Sequence, residues 1–141
     1  LITKALPTIE GEVNNILSQL VDFQMLFEMD GKNINNYIVY DDDNVWPLEL
    51  SSGMERFISS LAIRVALINV SNLPRSNFLA IDEGWGTMDS DNLNSVYSLF
   101  QYLKSQFQFT LIVSHIDSMR DAVDTLLEIK KEKNYSNIMF D

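Results

Sequence analysis

The chain has 141 residues, of which 46% are hydrophobic and 21% are charged, a composition typical of one globular domain with a real core. Its formal net charge of -10 argues against wrapping of nucleic acid by this piece alone, because phosphate binding needs clustered Lys and Arg. It contains no Cys, which excludes disulfides and thiolate metal sites, and no apolar stretch approaches the length of a transmembrane helix.

The first part of the chain changes from a helical to a strand periodicity. Apolar residues at spacings of three and four predict an amphipathic helix over residues 5–20. Alternation then predicts a strand over 21–29, a turn at Asp30-Gly31 and a returning strand over 36–40. The acidic stretch from Asp41 to Asp43 is interpreted as a solvated loop.

The second part of the chain predicts strands that alternate with helices. A helix over 54–70 has apolar residues around much of its circumference, so we expect it to be buried on more than one side. Unbroken apolar runs are typical of buried parallel strands, so the pattern predicts an α/β fold with parallel central strands. The other predicted elements are a strand at 78–82, a helix at 91–105, a strand at 109–113, a short helix near 117–122, and strands at 126–129 and 138–140.

Polar residues stand where two of the predicted strands end, Asp82-Glu83 after one and Ser114-His115 after the other. Ligands of parallel sheets bind beyond the carboxyl ends of the strands, so we expect these groups to share one edge. Adjacent carboxylates repel unless a cation is present, which makes Asp82 a candidate Mg²⁺ ligand and leaves Glu83 to activate a water. Considered alone, the acid pair is equally consistent with a loop cap, and a lone His is more often a satisfied surface or core residue.

The order of these motifs adds a resemblance to a known family. "SSGME", a long helix, "FLAIDE", "MD" and "LIVSH" together resemble the C-terminal ATPase lobe of the ABC-type heads in SMC-like proteins. The sequence is more closely similar to SbcC-type DNA double-strand-break repair ATPases, in the form carried by phages and large DNA viruses. Each motif alone is short, and the resemblance rests on four of them in order over nearly the whole chain.

The resemblance implies a fold and a domain organisation. The fold is α/β, the C-terminal lobe of a P-loop NTPase head of the ABC type, with a mostly parallel sheet, flanking helices and a terminal β-hairpin. Residues 1–141 then form a single domain. Within it, residues 1–20 are the helix through which a coiled coil re-enters the head, and residues 21–141 are the lobe that carries the motifs.

The resemblance also implies that Ser52 and Gly53 bind a nucleotide. They match the central serine and first glycine of the signature motif, which clasps the γ-phosphate of ATP held by the opposite head. A helix N-terminus offers free N–H groups to an anion, which suits this role. Met54 stands where a second glycine is common, and Ser51 stands where leucine is common.

Four further residues match functional positions of the family, of which Glu83 and His115 are catalytic, Asp82 is the metal ligand and Asp89 belongs to the nucleotide site. Asp82 matches the Walker B aspartate that holds Mg²⁺ through water, and Glu83 matches the glutamate that activates the attacking water. Asp89 matches the D-loop aspartate that couples the two sites of a dimer, and His115 matches the switch histidine that contacts the γ-phosphate. Gly84-Trp85 replaces the residues usual in transporters and favours the SMC-like branch.

The sequence lacks the GxxxxGK[ST] loop that cradles phosphates, since Gly31-Lys32 lies in a predicted hairpin turn without the upstream Gly. We therefore expect half of a head, an ATPase only within a complete head dimer and inactive alone. The implied cofactors are ATP and Mg²⁺. The implied partners are the N-terminal Walker A lobe of the same protein, a second head, an SbcD-type nuclease and DNA through the complete complex, but no membrane. The implied location is cytoplasmic or nucleoid-associated, or the host cytoplasm or virus factory for a viral protein.

Three alternatives remain open from the sequence. An SMC-type head that organises chromosomes would use the same chemistry, and a zinc-hook CxxC in the coiled coil would favour repair instead. A non-enzymatic module that binds a cation at the acidic cluster is the second, and an absent upstream P-loop would support it. A transporter subunit is the third and fits least well, given Gly84-Trp85 and the preceding hairpin.

Overall fold

Three α-helices form the frame of the molecule, which is a computed structural model describing residues 2–82, 93–115 and 117–140. Helix α1 spans Ile2–Leu17, α2 spans Gly53–Val70 and α3 spans Leu93–Gln106. The helix predicted over 5–20 ends earlier than expected, because the backbone after Leu17 tightens into turns in which Leu20 N donates to Leu17 O at 2.9 Å. None of the described helices is both long and apolar enough to cross a bilayer.

The first sheet is antiparallel, with the order β1-β2-β3. Strand β1 (Gln24–Asp30) and strand β2 (Asn33–Asp41) are joined by a two-residue turn in which Gly31 has a positive φ of 62°, a conformation that glycine adopts without strain. The hairpin is confirmed, and its turn places Gly31-Lys32 outside any phosphate loop. Strand β3 (Asn44–Pro47) was not predicted.

The second sheet is a parallel pair, and the third is a hairpin. Strands β4 (Phe78–Asp82) and β5 (Phe109–Val113) lie at the predicted residues, in a register that places Asp82 beside Val113. Strands β6 (Leu127–Glu132) and β7 (Tyr135–Phe140) form the predicted terminal hairpin. A 3₁₀ helix at Asp117–Ala122 confirms the predicted short helix.

The expected mostly parallel sheet is not what the described residues form, since their parallel pairing is limited to β4 and β5. The reason is connectivity. Parallel strands need a long crossover, which the segment containing α3 supplies between β4 and β5. The other strands follow one another through short turns and therefore pair antiparallel.

One hydrophobic core joins the three helices to the first two sheets. Helix α1 packs against α2 and β1, and α2 buries a broad face while Leu67 and Val70 on its other side stay exposed. We expected α2 to be buried on more than one side, but its buried residues lie on one wide face. The most deeply buried helical positions are Val13, Ile16 and Leu17 of α1, Ile58, Leu61 and Val65 of α2, and Val96, Leu99 and Leu103 of α3.

The parallel pair β4–β5 is covered on one side only. Leu79, Ile81 and Ile112 pack toward the core. The other side, here called the bare face, consists of Phe78, Ala80, Phe109, Leu111 and Val113. Phe78 and Phe109 lie side by side in the register and are 57% and 58% exposed. The bare face is continuous, because alternate residues along a strand point to the same side as their register partners on the adjacent strand.

Candidate functional site

The N-terminus of α2 is closed by a reciprocal cap. Ser52 is the N-cap residue, with extended backbone angles of φ -64° and ψ 162°. Its Oγ accepts a hydrogen bond from Glu55 N at 3.2 Å, and its own N donates to Glu55 Oε2 at 2.6 Å. The four-residue pattern Ser-x-x-Glu specifies this capping box, so the cap is encoded locally. The preceding Ser51 is buried, and its hydroxyl donates to Leu48 O at 2.6 Å.

The cap leaves a defined set of donors for a ligand. The first intrahelical bond runs from Arg56 N to Ser52 O, so helix geometry gives the N–H groups of Gly53 and Met54 no intrahelical acceptor. The Ser52 hydroxyl acts as an acceptor toward Glu55, and its proton therefore stays available as a donor. Three donors thus stand at the positive end of the helix dipole, an arrangement that suits an anion.

Tyr40 of β2 extends this network. Its hydroxyl donates to Glu55 Oε1 at 2.7 Å. Burial, together with this bond and the charges of Glu55 and Asp22, raises the pKa of Tyr40 to about 12. Partial burial acts to raise the pKa of Glu55, but the hydrogen bonds from Tyr40 and Ser52 outweigh it and hold that pKa below its ordinary value. At neutral pH the phenol is therefore a donor and the carboxylate an acceptor.

A cleft of about 470 Å³ lies along the first two turns of α2. Ser52, Glu55 and Ile58 form one wall, Tyr40 forms another, and Ser95 of α3 contributes from a third side. The segment that joins α1 to β1 closes the floor with residues 18–23. The cleft is therefore continuous with the capped helix start.

A second group of candidate residues lies at the carboxyl ends of β4 and β5. Asp82 is exposed at the end of β4 on the side of the bare face, level with Val113. Ser114 and the exposed His115 follow β5 directly, and Ser114 Oγ donates to Met119 Sδ at 3.3 Å. The structure thus brings Asp82 and His115 to the same edge of the sheet, as the sequence predicts.

The donors at this edge can be weighed against what a magnesium ion requires. Among the described residues, no three or more His, Cys, Asp or Glu side chains are grouped closely enough to hold a metal ion. An exposed single carboxylate such as Asp82 instead suits Mg²⁺ that keeps most of its waters and shares phosphate ligands. The residues present therefore fit a nucleotide-bound magnesium ion better than a metal cage made of protein ligands.

The predicted site residues fall into two separate groups. Ser52 and Gly53 mark the start of α2, whereas Asp82 and His115 mark the edge of the β4–β5 pair. Glu83 and Asp89 lie outside the described residues, and their roles stay predictions. The sequence motifs do not include Tyr40, for which no sequence signal exists, since its bond to Glu55 depends on how the hairpin docks.

Comparison with curated proteins finds sequence relatives but no matching family model. The chain is 37% identical over 150 residues to an uncharacterized protein of Acanthamoeba polyphaga mimivirus, a match covering 95% of this chain and 11% of that protein. It is 30% identical over 93 residues to the SbcC component of the nuclease SbcCD from Staphylococcus aureus, covering 63% of this chain and 9% of that protein. The chain thus spans about a tenth of the length of these relatives.

Solved structures show where the fold belongs. A chain from work on ATP-driven dimerization and DNA-stimulated activation of SMC ATPases superposes with a TM-score of 0.78 at 15% identity, covering 99% of this chain and 86% of that one. The SMC head domain from Thermotoga maritima superposes with a TM-score of 0.67 at 23% identity, covering 99% and 49%. The chain therefore has the mixed α/β fold of an SMC ATPase head and is distantly similar in sequence to SbcC.

Proposed function

We propose that this chain is the C-terminal lobe of an ABC-type ATPase head that joins a second copy of the same head around ATP. The observation that carries the proposal is the start of α2, where the capping box leaves the Ser52 proton and the N–H groups of Gly53 and Met54 as outward donors. Such a cluster suits the γ-phosphate of a nucleotide held by the opposite head. The SMC-head fold supports the proposal.

We assign the hydrolytic roles to residues that follow strands β4 and β5 in the sequence. Asp82 would hold Mg²⁺ through water, and the ion would neutralise phosphate charge when bound. Glu83 accepts a proton from the attacking water, and His115 donates a hydrogen bond to the γ-phosphate. Asp89 couples the two sites across the dimer. Phosphoryl transfer depends mainly on such positioning and charge neutralisation, so few groups suffice.

The remaining parts of the active unit come from elsewhere in the protein. The chain has no phosphate loop, so we assign ATP binding to an N-terminal Walker A lobe of the same protein. Helix α1 is assigned to the return of a coiled coil into the head. The chain spans only about a tenth of the length of these relatives, which is consistent with this division.

The cellular role is proposed as DNA repair or recombination, in which ATP-driven closure of two heads gates an SbcD-type nuclease on DNA. The similarity to the SbcC component of the nuclease SbcCD supports it. An SMC-type head that organises chromosomes is the second candidate, favoured by the superposition with SMC heads. A zinc-hook CxxC in the coiled coil would support repair. The mimivirus relative suggests the host cytoplasm or virus factory as the site of action.

The test compares the complete head with its Glu83→Gln variant. The wild-type head should hydrolyse ATP and dimerise with ATP and Mg²⁺, while residues 1–141 alone should release no phosphate. Glu83→Gln should slow turnover by roughly 10²-fold or more, because the amide keeps the shape but accepts no proton, and ATP-bound dimers should accumulate. Glu28→Gln, on the exposed side of β1, is the control and should behave as wild type. A complete head without ATP-dependent dimers would refute the proposal.

A further inference from the structure

Tyr40 connects the hairpin β1–β2 to the helix start that the proposed function uses. Its hydroxyl donates to Glu55 Oε1 at 2.7 Å, while the second oxygen of the same carboxylate accepts from Ser52 N at 2.6 Å. Both carboxylate oxygens are thus occupied, one by the hairpin and one by the cap. The pair spans 15 residues of sequence, so the bond is a tertiary contact rather than part of the local turn.

The ring of Tyr40 packs against two aromatic neighbours. Phe23 and Trp46 each lie with ring centroids 5.6 Å from the Tyr40 ring, at interplanar angles of 58° and 38°. Such tilted packing fixes the direction of the ring. Phe23 is itself buried in the core at 3% exposure. The hydroxyl therefore reaches Glu55 from a defined position.

Strand β1, which pairs with the strand that carries Tyr40, is also anchored to α1. The Asn14 side chain donates to Met25 O at 2.9 Å and accepts from Met25 N at 2.8 Å. Glu10 Oε2 accepts from Phe27 N at 2.8 Å. Tyr40 thus belongs to a framework that is built independently of the start of α2, and it can hold Glu55 from outside that helix.

The position of the Glu55 charge matters because a helix N-terminus attracts any anion, including a side chain of its own first turn. A carboxylate that leaves the cap can turn toward the N–H groups of Gly53 and Met54. There it would either occupy the phosphate site or repel an incoming phosphate. A bond that draws the carboxylate toward the cleft prevents this competition.

We propose that Tyr40 is a positioning residue that holds Glu55 in the capping geometry, and so keeps the donors of Ser52, Gly53 and Met54 open to a phosphate. This inference rests on the proposed function, which it extends by naming how the anion site is kept free of the protein's own negative charge. Tyr40 itself touches no nucleotide. Its effect passes through Glu55.

The test uses the complete head and the variant Tyr40→Phe, which keeps the ring and removes one hydroxyl. Without nucleotide, amide hydrogen exchange at Ser52 and Glu55 should accelerate roughly 3- to 10-fold, within the range expected for the loss of one ordinary hydrogen bond. With ATP and Mg²⁺, sedimentation should show dimerisation weakened by a similar factor for each site. Tyr37→Phe removes a hydroxyl from the same strand without a bond to the cap and is the matched control.

A second variant separates positioning from a general loss of structure. In a Glu55→Gln background no charge competes with the phosphate, so adding Tyr40→Phe should weaken dimerisation by less than about 2-fold. Unchanged exchange or unchanged dimerisation in Tyr40→Phe, or an equal penalty in the Glu55→Gln background, would overturn the inference while leaving the ATPase proposal intact. A wild-type head that never dimerises with ATP would refute the proposed function, and the exchange measurement would still decide whether Tyr40 holds the cap.

Discussion

At the scale of one residue, the carboxylate of Glu55 both stabilises a helix cap and lies where it can compete with a bound anion. Its carboxylate closes the cap of α2 and sits near the donors proposed for a phosphate. Burial alone would raise its pKa, yet the bonds from Tyr40 and Ser52 lower it below the ordinary value. The carboxylate therefore stays ionised over the whole neutral range. The same hydrogen bonds also fix its position.

This lowered pKa predicts a pH-dependent contribution to stability. A carboxyl whose pKa is lower in the folded than in the unfolded chain stabilises the fold above the unfolded value, here taken as 4.5, and loses that effect as pH falls through the folded value. The wild-type chain should therefore be more stable than Glu55→Gln by about 0.5–1 kcal/mol at neutral pH, and this difference should vanish in acid. Denaturant unfolding of both proteins across pH measures it.

The matched control for this measurement is the same substitution in a Tyr40→Phe background. There the carboxylate has lost one of its donors, so the pH-dependent difference should be smaller. A difference between wild type and Glu55→Gln that stays constant from neutral to acid pH would contradict the assignment.

The residue scale also shows what sequence can and cannot predict about the site. Asp82 and His115 can be placed at one edge because a general rule of parallel sheets relates strand ends. Ser52 and Glu55 stand in a local four-residue pattern that a capping box explains. Tyr40 has no such signal, because its partner is chosen by the docking of a hairpin, which no local pattern encodes.

At the scale of elements, β3 is the strand that the sequence did not reveal. It has four residues, begins with Asn44 and ends with Pro47, two residue types that strands disfavour. The preceding acids favour a solvated loop. Asp42 and Asp43 do form an exposed turn, and Asp41 organises it, since it accepts from Asp43 N at 3.0 Å and from the Asn44 side chain. These bonds lower the pKa of Asp41.

Helix α2 gives the element-scale prediction. Its broad buried face includes Leu61 at 5% exposure, while Leu67 on the opposite side is 46% exposed. Leu61→Ala removes buried methyl groups and leaves a cavity, so it should destabilise the chain by about 2–5 kcal/mol. The identical substitution Leu67→Ala should change stability by no more than about 0.5 kcal/mol. Equal losses in denaturant unfolding would contradict the described orientation of α2.

At the scale of the whole molecule, the bare face of β4–β5 is an apolar surface that the described residues leave uncovered. Leu111 and Val113 are 43% and 48% exposed within a parallel pair, although parallel strands are normally covered on both faces. The sequence predicts this outcome, because both strands are unbroken apolar runs and the chain supplies few helices to cover them. The bare face ends at Asp82, so a body that covers it is placed beside the proposed magnesium ligand.

A charge placed on the bare face should separate folding of this chain from assembly of the head. Leu111→Glu lies on an already exposed surface, so residues 1–141 should fold as before, but burying the carboxylate against an N-terminal lobe would cost several kcal/mol and abolish co-purification of the two lobes. Leu73→Glu is the matched control, since Leu73 is 77% exposed in the loop between α2 and β4, is not part of the bare face, and should leave assembly intact.

The same surface explains how the wild-type chain should behave alone. Contiguous exposed apolar area favours self-association and binding of hydrophobic dyes. The isolated chain should therefore bind such a dye, and co-expression of the N-terminal lobe should suppress the signal, because we expect that lobe to occupy the bare face. Leu111→Glu should lower dye binding by the isolated chain. Co-expression of the N-terminal lobe should then lower the dye signal of this variant no further. A wild-type chain that is monomeric, silent to the dye and unchanged by the N-terminal lobe would show that the bare face needs no cover, and that the lobe does not complete the head there.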